Sequence, residues 1–406
     1  MTTSVITIIR NAQGPLTKSF TLQDGQLKKT AAADLVEGVA TQVKVKDLCH
    51  FATILERLDS HEAIAFGVSQ FIMTRIVTQK ALRRGVHGAV CRDRAHFFWP
   101  KGQAVFMLDI DRPKDGSAPI RAKDFDAMMQ RLLPWWSSCA RMYRPSASAF
   151  IYHAEGNELA GPGSLRCYLI ADKGENIPFL GIAILDALWK AGAGRIDFSA
   201  SGSMLVRCPV DGAVWQPERL DFAGPVVLGP GLVKKSVSAA IIEGGVIDTE
   251  AAIVGGPGKV TTAVWLRASL EIRQAKHKAK PEEKRLRKIH LADRIREEVA
   301  AGVDEQHARQ KWRAAFSTNT LSADFRLHFL NMGTVTVADV LANPRRFDFE
   351  RLADPADPTY ADDRRIAVFF ANGGKARPHI FSHAHGGCKY VLGDPVPDLN
   401  RKGHTA

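Results

Sequence analysis

No stretch of apolar residues in this 406-residue chain approaches the roughly 20 that a membrane-spanning helix needs, so no membrane partner is expected. The N-terminal segment lacks both a basic start and a long apolar core, which argues against a secretory signal and favours a cytoplasmic location. The six cysteines include no Cys-x-x-Cys pair, so reduced thiols are expected in place of a disulfide framework or a cysteine zinc site. Residues 255–260 read Gly-Gly-Pro-Gly-Lys-Val and lack the spacing of a P-loop, which predicts no ATPase.

Positive charge is in excess, because 55 Lys and Arg face 43 Asp and Glu and give a net charge of +12. Such an excess favours a polyanionic partner, and nucleic acid is a better candidate than a membrane surface. Apolar residues make up 45% of the chain, which is typical of a globular protein. The length predicts two or three compact units.

Alternating strand and helix patterns predict an α+β protein. We expect a β-rich lead-in at 1–40, a catalytic domain at 41–235, a linker with a basic helical segment at 236–320 and a small α+β domain at 321–406. Within 41–235, the patterns predict helices at 47–57, 69–84, 123–139 and 178–190, and strands at 95–111, 147–153, 165–171 and 203–210.

Asp109 and Asp111 follow an apolar run and form an Asp-x-Asp pair. Residues i and i+2 of a strand point to the same side, so the two carboxylates would lie side by side. Two such carboxylates repel each other unless a divalent cation lies between them, which predicts a Mg²⁺ or Mn²⁺ site of the kind that handles phosphates. The alternative is a plain strand end, with Pro113 opening a turn.

Two further segments carry residues that suit phosphate chemistry. In Gly161-Pro-Gly-Ser-Leu-Arg166, a glycine-rich turn leads into a strand, and its backbone amides and the guanidinium could bind phosphate oxygens; the alternative is an ordinary hairpin turn. Asp211 follows another apolar run and is flanked by Arg207 and Arg219, which predicts a third metal-binding carboxylate or, alternatively, a salt-bridge cluster. Asp197 is a rival for the third acid, because it too ends a short apolar run.

Together these segments resemble the archaeo-eukaryotic primase superfamily, in the branch carried by phages, plasmids and integrated elements. Asp109 and Asp111 match its first motif, Asp-x-Asp, and Asp211 matches its third, an apolar residue followed by Asp. The second motif falls on Ser164-Leu-Arg166, where this chain has an arginine in place of the usual histidine. The resemblance covers about half the chain and implies a core of two α/β modules with an RRM-like sheet.

The resemblance implies a DNA primase or primase-polymerase, which transfers nucleotides from (d)NTPs on a single-stranded DNA template. Asp109, Asp111 and Asp211 would then hold Mg²⁺ or Mn²⁺. The nucleotide would be bound by Ser164, Arg166, Arg207 and Arg219. Unwinding would come from a separate helicase. Two alternatives are a noncatalytic DNA-binding replication factor that keeps the primase-like fold and a metal-dependent nuclease.

The C-terminal third adds two features. Between Arg267 and Arg296 there are eleven Lys or Arg against four Asp or Glu, which predicts helices broken near Pro281 that either follow a phosphate backbone or serve as a solvated linker. His379, His383, His385 and Cys388 lie within ten residues, but their spacing is unusual for zinc, and a hydrogen-bonded turn is the preferred interpretation. This segment resembles an element found after the primase module in mobile-element replication proteins, so it could bind nucleic acid or a partner.

Overall fold

The computed structural model describes residues 3–112, 118–253, 260–360, 363–374 and 376–393. Helix and strand contribute almost equally, 31% and 32%, so the predicted α+β class is confirmed. The chain forms two compact units, one of residues 1–195 with 207–273 and the other of residues 196–206 with 274–406. In the described part of the chain, no helix is both long enough and apolar enough to cross a membrane.

Up to residue 195, strands and helices alternate irregularly. The strands are β1 (Ser4–Asn11), β2 (Leu16–Gln23), β3 (Gln26–Ala33), β4 (Glu37–Val45), β5 (Glu62–Ala65), β6 (Met73–Val77), β7 (Ala89–Cys91), β8 (Ala104–Ile110), β9 (Arg141–Pro145), β10 (Ile151–His153), β11 (Glu158–Ala160) and β12 (Leu165–Ala171). The helices are α1 (Leu48–Arg57), α2 (Gln79–Arg83), α3 (Ala122–Leu132) and α4 (Ile177–Lys190).

The middle of the chain contains short strands and one long helix. The strands are β13 (Arg195–Phe198), β14 (Met204–Arg207), β15 (Leu220–Asp221), β16 (Val227–Leu228), β17 (Leu232–Lys234) and β18 (Ala240–Ile242). The helices are α5 (Thr249–Ala252) and α6 (Val260–Ala300).

The remaining elements build the second unit. The helices are α7 (Glu305–Ser317), α8 (Val337–Ala342) and α9 (Pro344–Phe347). The strands are β19 (Thr320–Leu321), β20 (Arg326–Phe329), β21 (Gly333–Thr336), β22 (Arg351–Leu352), β23 (Ala367–Phe370), β24 (His379–Ser382) and β25 (Cys388–Leu392).

The N-terminal strands are part of the first unit, whereas the sequence suggested a separate lead-in. They are joined to it because β1 pairs with β4 on one side and with β5 on the other, in a sheet ordered β15-β5-β1-β4-β6-β7. The sequence placed domain boundaries at 235 and 320, and the chain passes between the two observed units after residues 195, 206 and 273.

A second sheet of this unit, ordered β18-β9-β12-β8, carries the Asp-x-Asp pair. Its neighbouring strands are antiparallel. An antiparallel bridge between Ile110 and Val210 places the segment before Asp211 next to β8. Along the chain, the strands of this sheet and the helices between them come in the order β8, α3, β9, β12, α4 and the Val210 segment, which is strand, helix, strand, strand, helix, strand. In space, the Val210 segment, β8, β12 and β9 are neighbours in that order. Six of the seven residues of β8 are buried and Asp109 is not, so the strand is fixed in the core and presents one carboxylate.

The turn after Asp211 is held against this sheet by Trp215. The Trp215 ring packs directly on Gly181 of α4, where a β-carbon would overlap it, and its Nε1 donates to the backbone oxygen of Met107, 3.1 Å away. The small residue in α4 thus allows the close approach that places Asp211 beside β8.

Five element predictions between residues 41 and 235 need correction, and one of them is the strand predicted at 147–153, which is only Ile151–His153. The predicted helix at 69–84 is strand β6 followed by the short helix α2, because the β-branched Thr74, Ile76 and Val77 pair in the sheet and Thr78 caps α2. The strand predicted at 95–111 is only Ala104–Ile110, and the strand predicted at 203–210 is only Met204–Arg207. The helix predicted at 123–139 ends at Leu132, before Pro134.

Helix α6 runs through Pro281, whereas the sequence predicted a break there. Proline removes one backbone hydrogen bond, but ion pairs one turn apart reinforce the helix on either side of the gap. They join Lys280 to Glu283 at 2.6 Å and Arg285 to Glu282 at 2.7 Å. The Gly-rich segment at 255–260 lies almost entirely outside the described residues.

In the second unit one sheet, ordered β19-β25-β24-β23-β22-β20-β21, has its core on one face. The core side chains include Leu327, Phe329, Phe369, Ile380 and Tyr390. Trp312 of α7 and Val340 of α8 belong to the same cluster. The helices therefore bury one face of the sheet.

Candidate active site

Four ionisable side chains lie in a row across the sheet of the first unit. Strand pairing sets Arg166 of β12 opposite Asp109 of β8 on one side and opposite Arg144 of β9 on the other. Asp211 lies opposite Asp109, because Ile110 bridges Val210 and the Asp211 amide donates to the Asp109 carbonyl oxygen at 2.9 Å. Residues opposite each other in antiparallel strands share a face, so two guanidiniums and two carboxylates line one face.

Asp109 is the carboxylate whose ionised form is disfavoured at this face. Burial raises its pKa most, Asp111 and Asp221 also raise it, and Arg166 and Lys18 oppose the rise, so that the resulting pKa is about 6. Asp111 is exposed just beyond the end of the strand. A cation bound next to Asp109 would relieve this unfavourable charge.

Arg166 is deeply buried, with 5% of its surface exposed, and it forms an ion pair with Asp221 at 2.6 Å. Tyr168 donates from its hydroxyl to the other Asp221 oxygen at 2.8 Å. Burial alone would lower the pKa of Arg166, but Asp221, Tyr168 and Asp109 raise it above its usual value. One guanidinium nitrogen donates to the Phe222 carbonyl oxygen, while the buried Nε has no hydrogen-bond partner among the described residues. That unpaired donor leaves capacity for an anion.

Arg166 lines a small basic pocket together with Arg144, Lys234 and Ser146. The cavity has a volume of about 80 Å³, and its lining in the described part of the chain includes no carboxylate. Lys234 donates from Nζ to the carbonyl oxygens of Ala147 and Ala149. Burial, with Arg144 and Arg166 close by, lowers the pKa of Lys234 to about 8. Crowded cations around a small cavity are the arrangement that a phosphate group stabilises.

The other predicted nucleotide-binding residues are placed less favourably. Ser164 lies beside the pocket residue Ser146, whose amide donates to the Ser164 carbonyl oxygen, and its hydroxyl accepts from the Arg112 amide at 3.3 Å. Arg219 is exposed, with Nη2 3.8 Å from Asp211. Arg207 is half-buried at the end of β14 and does not line the pocket.

The carboxylates match a Mg²⁺ or Mn²⁺ site in donor type and in strand register, but their side chains do not converge. Across the described ranges, no three His, Cys, Asp or Glu side chains are placed to hold a metal ion together. Asp211 uses Oδ1 to accept from the Ala213 amide at 2.9 Å, which caps the following turn, and Arg219 lies beside its Oδ2. Asp197, the rival third acid, lies on β13, in the second unit.

The histidine-rich segment near the C-terminus is likewise not assembled as a zinc site. His379 stacks on Phe370 with ring centroids 5.0 Å apart. His385 is buried, with Nε2 3.5 Å from Asp357 and 3.8 Å from Asp354. His379 and His385 therefore lie in separate environments.

Sequence reasoning missed Arg144, Asp221 and Lys234. Arg144 directly precedes a Pro-Ser pair at 145–146, and Asp221 follows the predicted nucleotide-binding residue Arg219 by two residues. Nothing local marks Lys234, since it reaches the pocket through the pairing of β17 with β10.

Comparison with protein-family models, with curated proteins and with solved structures finds no match for this chain. The chemistry of the site therefore has to come from its own residues. These form a small cationic pocket and, along the same face of the sheet, two carboxylates, of which Asp109 has a raised pKa.

Proposed function

We propose that this protein is a template-dependent nucleotidyltransferase, a DNA primase or primase-polymerase that serves a phage, a plasmid or an integrated element. The observation that carries the proposal is the row of Arg144, Arg166, Asp109 and Asp211 on one sheet face, next to the basic pocket. Polymerisation of nucleotides needs both the carboxylates and the basic pocket, because a triphosphate must be held while charge develops around the reacting phosphorus.

The order of the strands supports the same proposal. The strand, helix, strand, strand, helix, strand sequence puts the segment ending in Asp211 beside the strand that carries Asp109. This is the arrangement expected of the RRM-like sheet that the primase resemblance implies. It brings residues about 100 positions apart, 109 and 211, to adjacent strands through topology alone.

In the proposed reaction, a 3′-hydroxyl attacks the α-phosphorus of a bound (d)NTP, the bond to the β-phosphate breaks, and pyrophosphate leaves. Arg144, Arg166 and Lys234 would bind phosphate oxygens, and Arg166 would keep its charge throughout the pH range. When bound, Mg²⁺ or Mn²⁺ would neutralise the triphosphate and favour ionisation of the attacking hydroxyl. Asp109, Asp111 and Asp211 would hold the ion after turning towards one another, because their side chains do not converge in the structure. The template would be single-stranded DNA, opened by a separate helicase.

Two observations favour the second candidate, a noncatalytic DNA-binding replication factor. Arg166 is held in a buried ion pair with Asp221 where a primase has a histidine, and Asp211 is occupied as a cap. A protein that binds phosphates without turnover could keep both arrangements unchanged.

Extension of a labelled primer, and synthesis on an unprimed single strand, with Mg²⁺ or Mn²⁺ decide between the two. The variants are Asp109→Asn and Asp111→Asn, and the matched control is Asp124→Asn, which removes an exposed carboxylate on α3. The proposal predicts product from the wild type and the control and none from either site variant. No product from a folded, DNA-binding wild type would favour the binding factor, and shortening of the primer would favour a nuclease.

A further inference from the structure

The sheet of the second unit has an outward face opposite its core. Strand register puts alternate residues of its strands on this face: Arg326, His328, Thr334, Thr336, Arg351, Val368, Phe370, His379, Phe381, Lys389 and Val391. Their neighbours along each strand, such as Ile380 and Tyr390, are buried in the core. We call this set the outward face.

The charge on the outward face has one sign. Among the described strand residues that form it, Arg326, Arg351 and Lys389 are cationic and none is Asp or Glu. Two carboxylates from neighbouring loops have partners: Asp363 is paired with Arg365 at 2.8 Å, and Asp348 accepts from the Ala371 amide at 2.8 Å. A polyanion is therefore the partner that this face attracts.

Aromatic rings lie between these cations. Phe381 is 37% exposed, and a direct cross-strand row sets it between Val368 and Lys389. His383 contacts the Phe381 ring edge-on, with centroids 5.1 Å apart. The next row contains Phe370 and His379, stacked at 5.0 Å with 16° between their planes. An exposed phenylalanine on a sheet has no role in the fold's own core, so its position suits a flat ligand.

We propose that the outward face binds single-stranded nucleic acid, with bases stacking on Phe381 and phosphates contacting Lys389, Arg351 and Arg326. Unpaired bases offer their ring faces to aromatic side chains, whereas those of a duplex are already stacked on each other. Interleaved cations and aromatics on a sheet are the combination that such binding uses. The inference rests on the second unit and does not depend on the nucleotidyl transfer proposed for the first.

The test is fluorescence anisotropy of a labelled oligo(dT) with the full-length protein and the variants Phe381→Leu, Phe381→Trp and Lys389→Ala. Phe381→Leu keeps apolar bulk and removes the aromatic ring, so affinity should fall about 5-fold or more, the lower end expected for the loss of one stacked base. Phe381→Trp should retain affinity because it restores a stacking ring. Arg313→Ala, which removes an exposed cation from α7, is the charge-matched control for Lys389→Ala and should bind as the wild type.

A probe with abasic sites separates stacking from charge. Wild type and Phe381→Leu should bind the abasic strand equally, because neither can stack on a missing base, while Lys389→Ala should still bind it more weakly. Equal affinity of wild type and Phe381→Leu for oligo(dT), with both proteins melting at the same temperature, would overturn the proposal. The same preparations are assayed for primer extension. Extension by a wild type whose affinity does not depend on Phe381 would contradict only the outward-face proposal. Dependence of affinity on Phe381 without any extension would contradict only the nucleotidyltransferase. Ribose and deoxyribose probes of equal sequence then identify the preferred strand.

Discussion

Replacing Asp109 with asparagine should make the folded protein more stable at neutral and alkaline pH. Asparagine resembles the protonated carboxylic acid in size and shape, and it avoids the charge that burial and the neighbouring Asp111 and Asp221 disfavour. Most substitutions of a half-buried residue destabilise a protein, so the expected sign is unusual. A gain in stability on substitution is expected when a residue is retained for binding a cation rather than for folding.

The magnitude follows from the pKa of about 6 in the folded protein against an ordinary 3.8. A raised carboxyl pKa means that the folded state holds its proton more tightly, so the ionised form costs stability as pH rises from 3.8 through 6. Above pH 7 the variant should gain about 3 kcal/mol in the free energy of unfolding. At pH 5 the gain should shrink to about 1.5 kcal/mol, and it should vanish towards pH 3 to 4.

Urea unfolding followed by tryptophan fluorescence at several pH values, without and with Mn²⁺, measures this difference. Mn²⁺ should stabilise the wild type more than the variant, because the asparagine offers no charge to the ion. Asp124→Asn, which alters an exposed carboxylate, should show no comparable gain at any pH. A variant that is less stable than the wild type at pH 8, or a gain that does not change between pH 5 and 8, would refute the reasoning.

Three other outcomes are expected. Arg166→Ala should cost about 3 to 5 kcal/mol in urea unfolding because it leaves a buried carboxylate unpaired, and a loss below about 1 kcal/mol would contradict the buried ion pair. Affinity for inorganic triphosphate, measured by calorimetry, should fall between pH 7 and 9 as Lys234, with its pKa lowered to about 8, loses its charge; an equal fall in Lys234→Met would exclude this cause. Gly181→Ala should cost about 1 to 3 kcal/mol because its methyl group overlaps the Trp215 ring, whereas Gly102→Ala, which meets no neighbour, should unfold like the wild type.

Local sequence patterns predicted the elements whose signals are local. Helix α1 begins after Asp47, whose side chain caps it, and its buried residues follow the helical spacing read from the sequence. Asp109 lies on a buried strand, as the apolar run before it indicated. By contrast, the helical spacing at 69–84 was overridden by pairing of β6 with β4, a contact between residues far apart in the chain that a local window does not contain.

The basic pocket shows why the rest of the site was beyond sequence reasoning. Arg144, Arg166 and Lys234 come from three strands, and although the glycine-rich turn marked Arg166, Arg144 and Lys234 are unremarkable cations in their own segments. Strand register makes them neighbours, and register depends on the whole fold. Asp111 and Arg207 show the opposite case, since the sequence predicted Asp111 to bind a metal and Arg207 to bind the nucleotide. Asp111 is exposed beyond the end of its strand, and Arg207 is not part of the pocket lining.

The β13–β14 hairpin is synthesised long before the residues on which it packs. Residues 196–206 belong to the second unit, where Leu205 contacts Gly386 and the turn at Gly202 packs on Arg287. The ribosome makes Gly386 roughly 180 residues after the hairpin, a delay of roughly 9 to 36 s at roughly 5 to 20 residues per second. Until Arg287 is made, about halfway through that interval, the hairpin has neither of these partners, although the segments on both sides of it belong to a unit that is completed sooner. Expression of residues 274–406 alone would omit it, so separating the two units calls for a grafted hairpin or a permuted chain rather than a single cut.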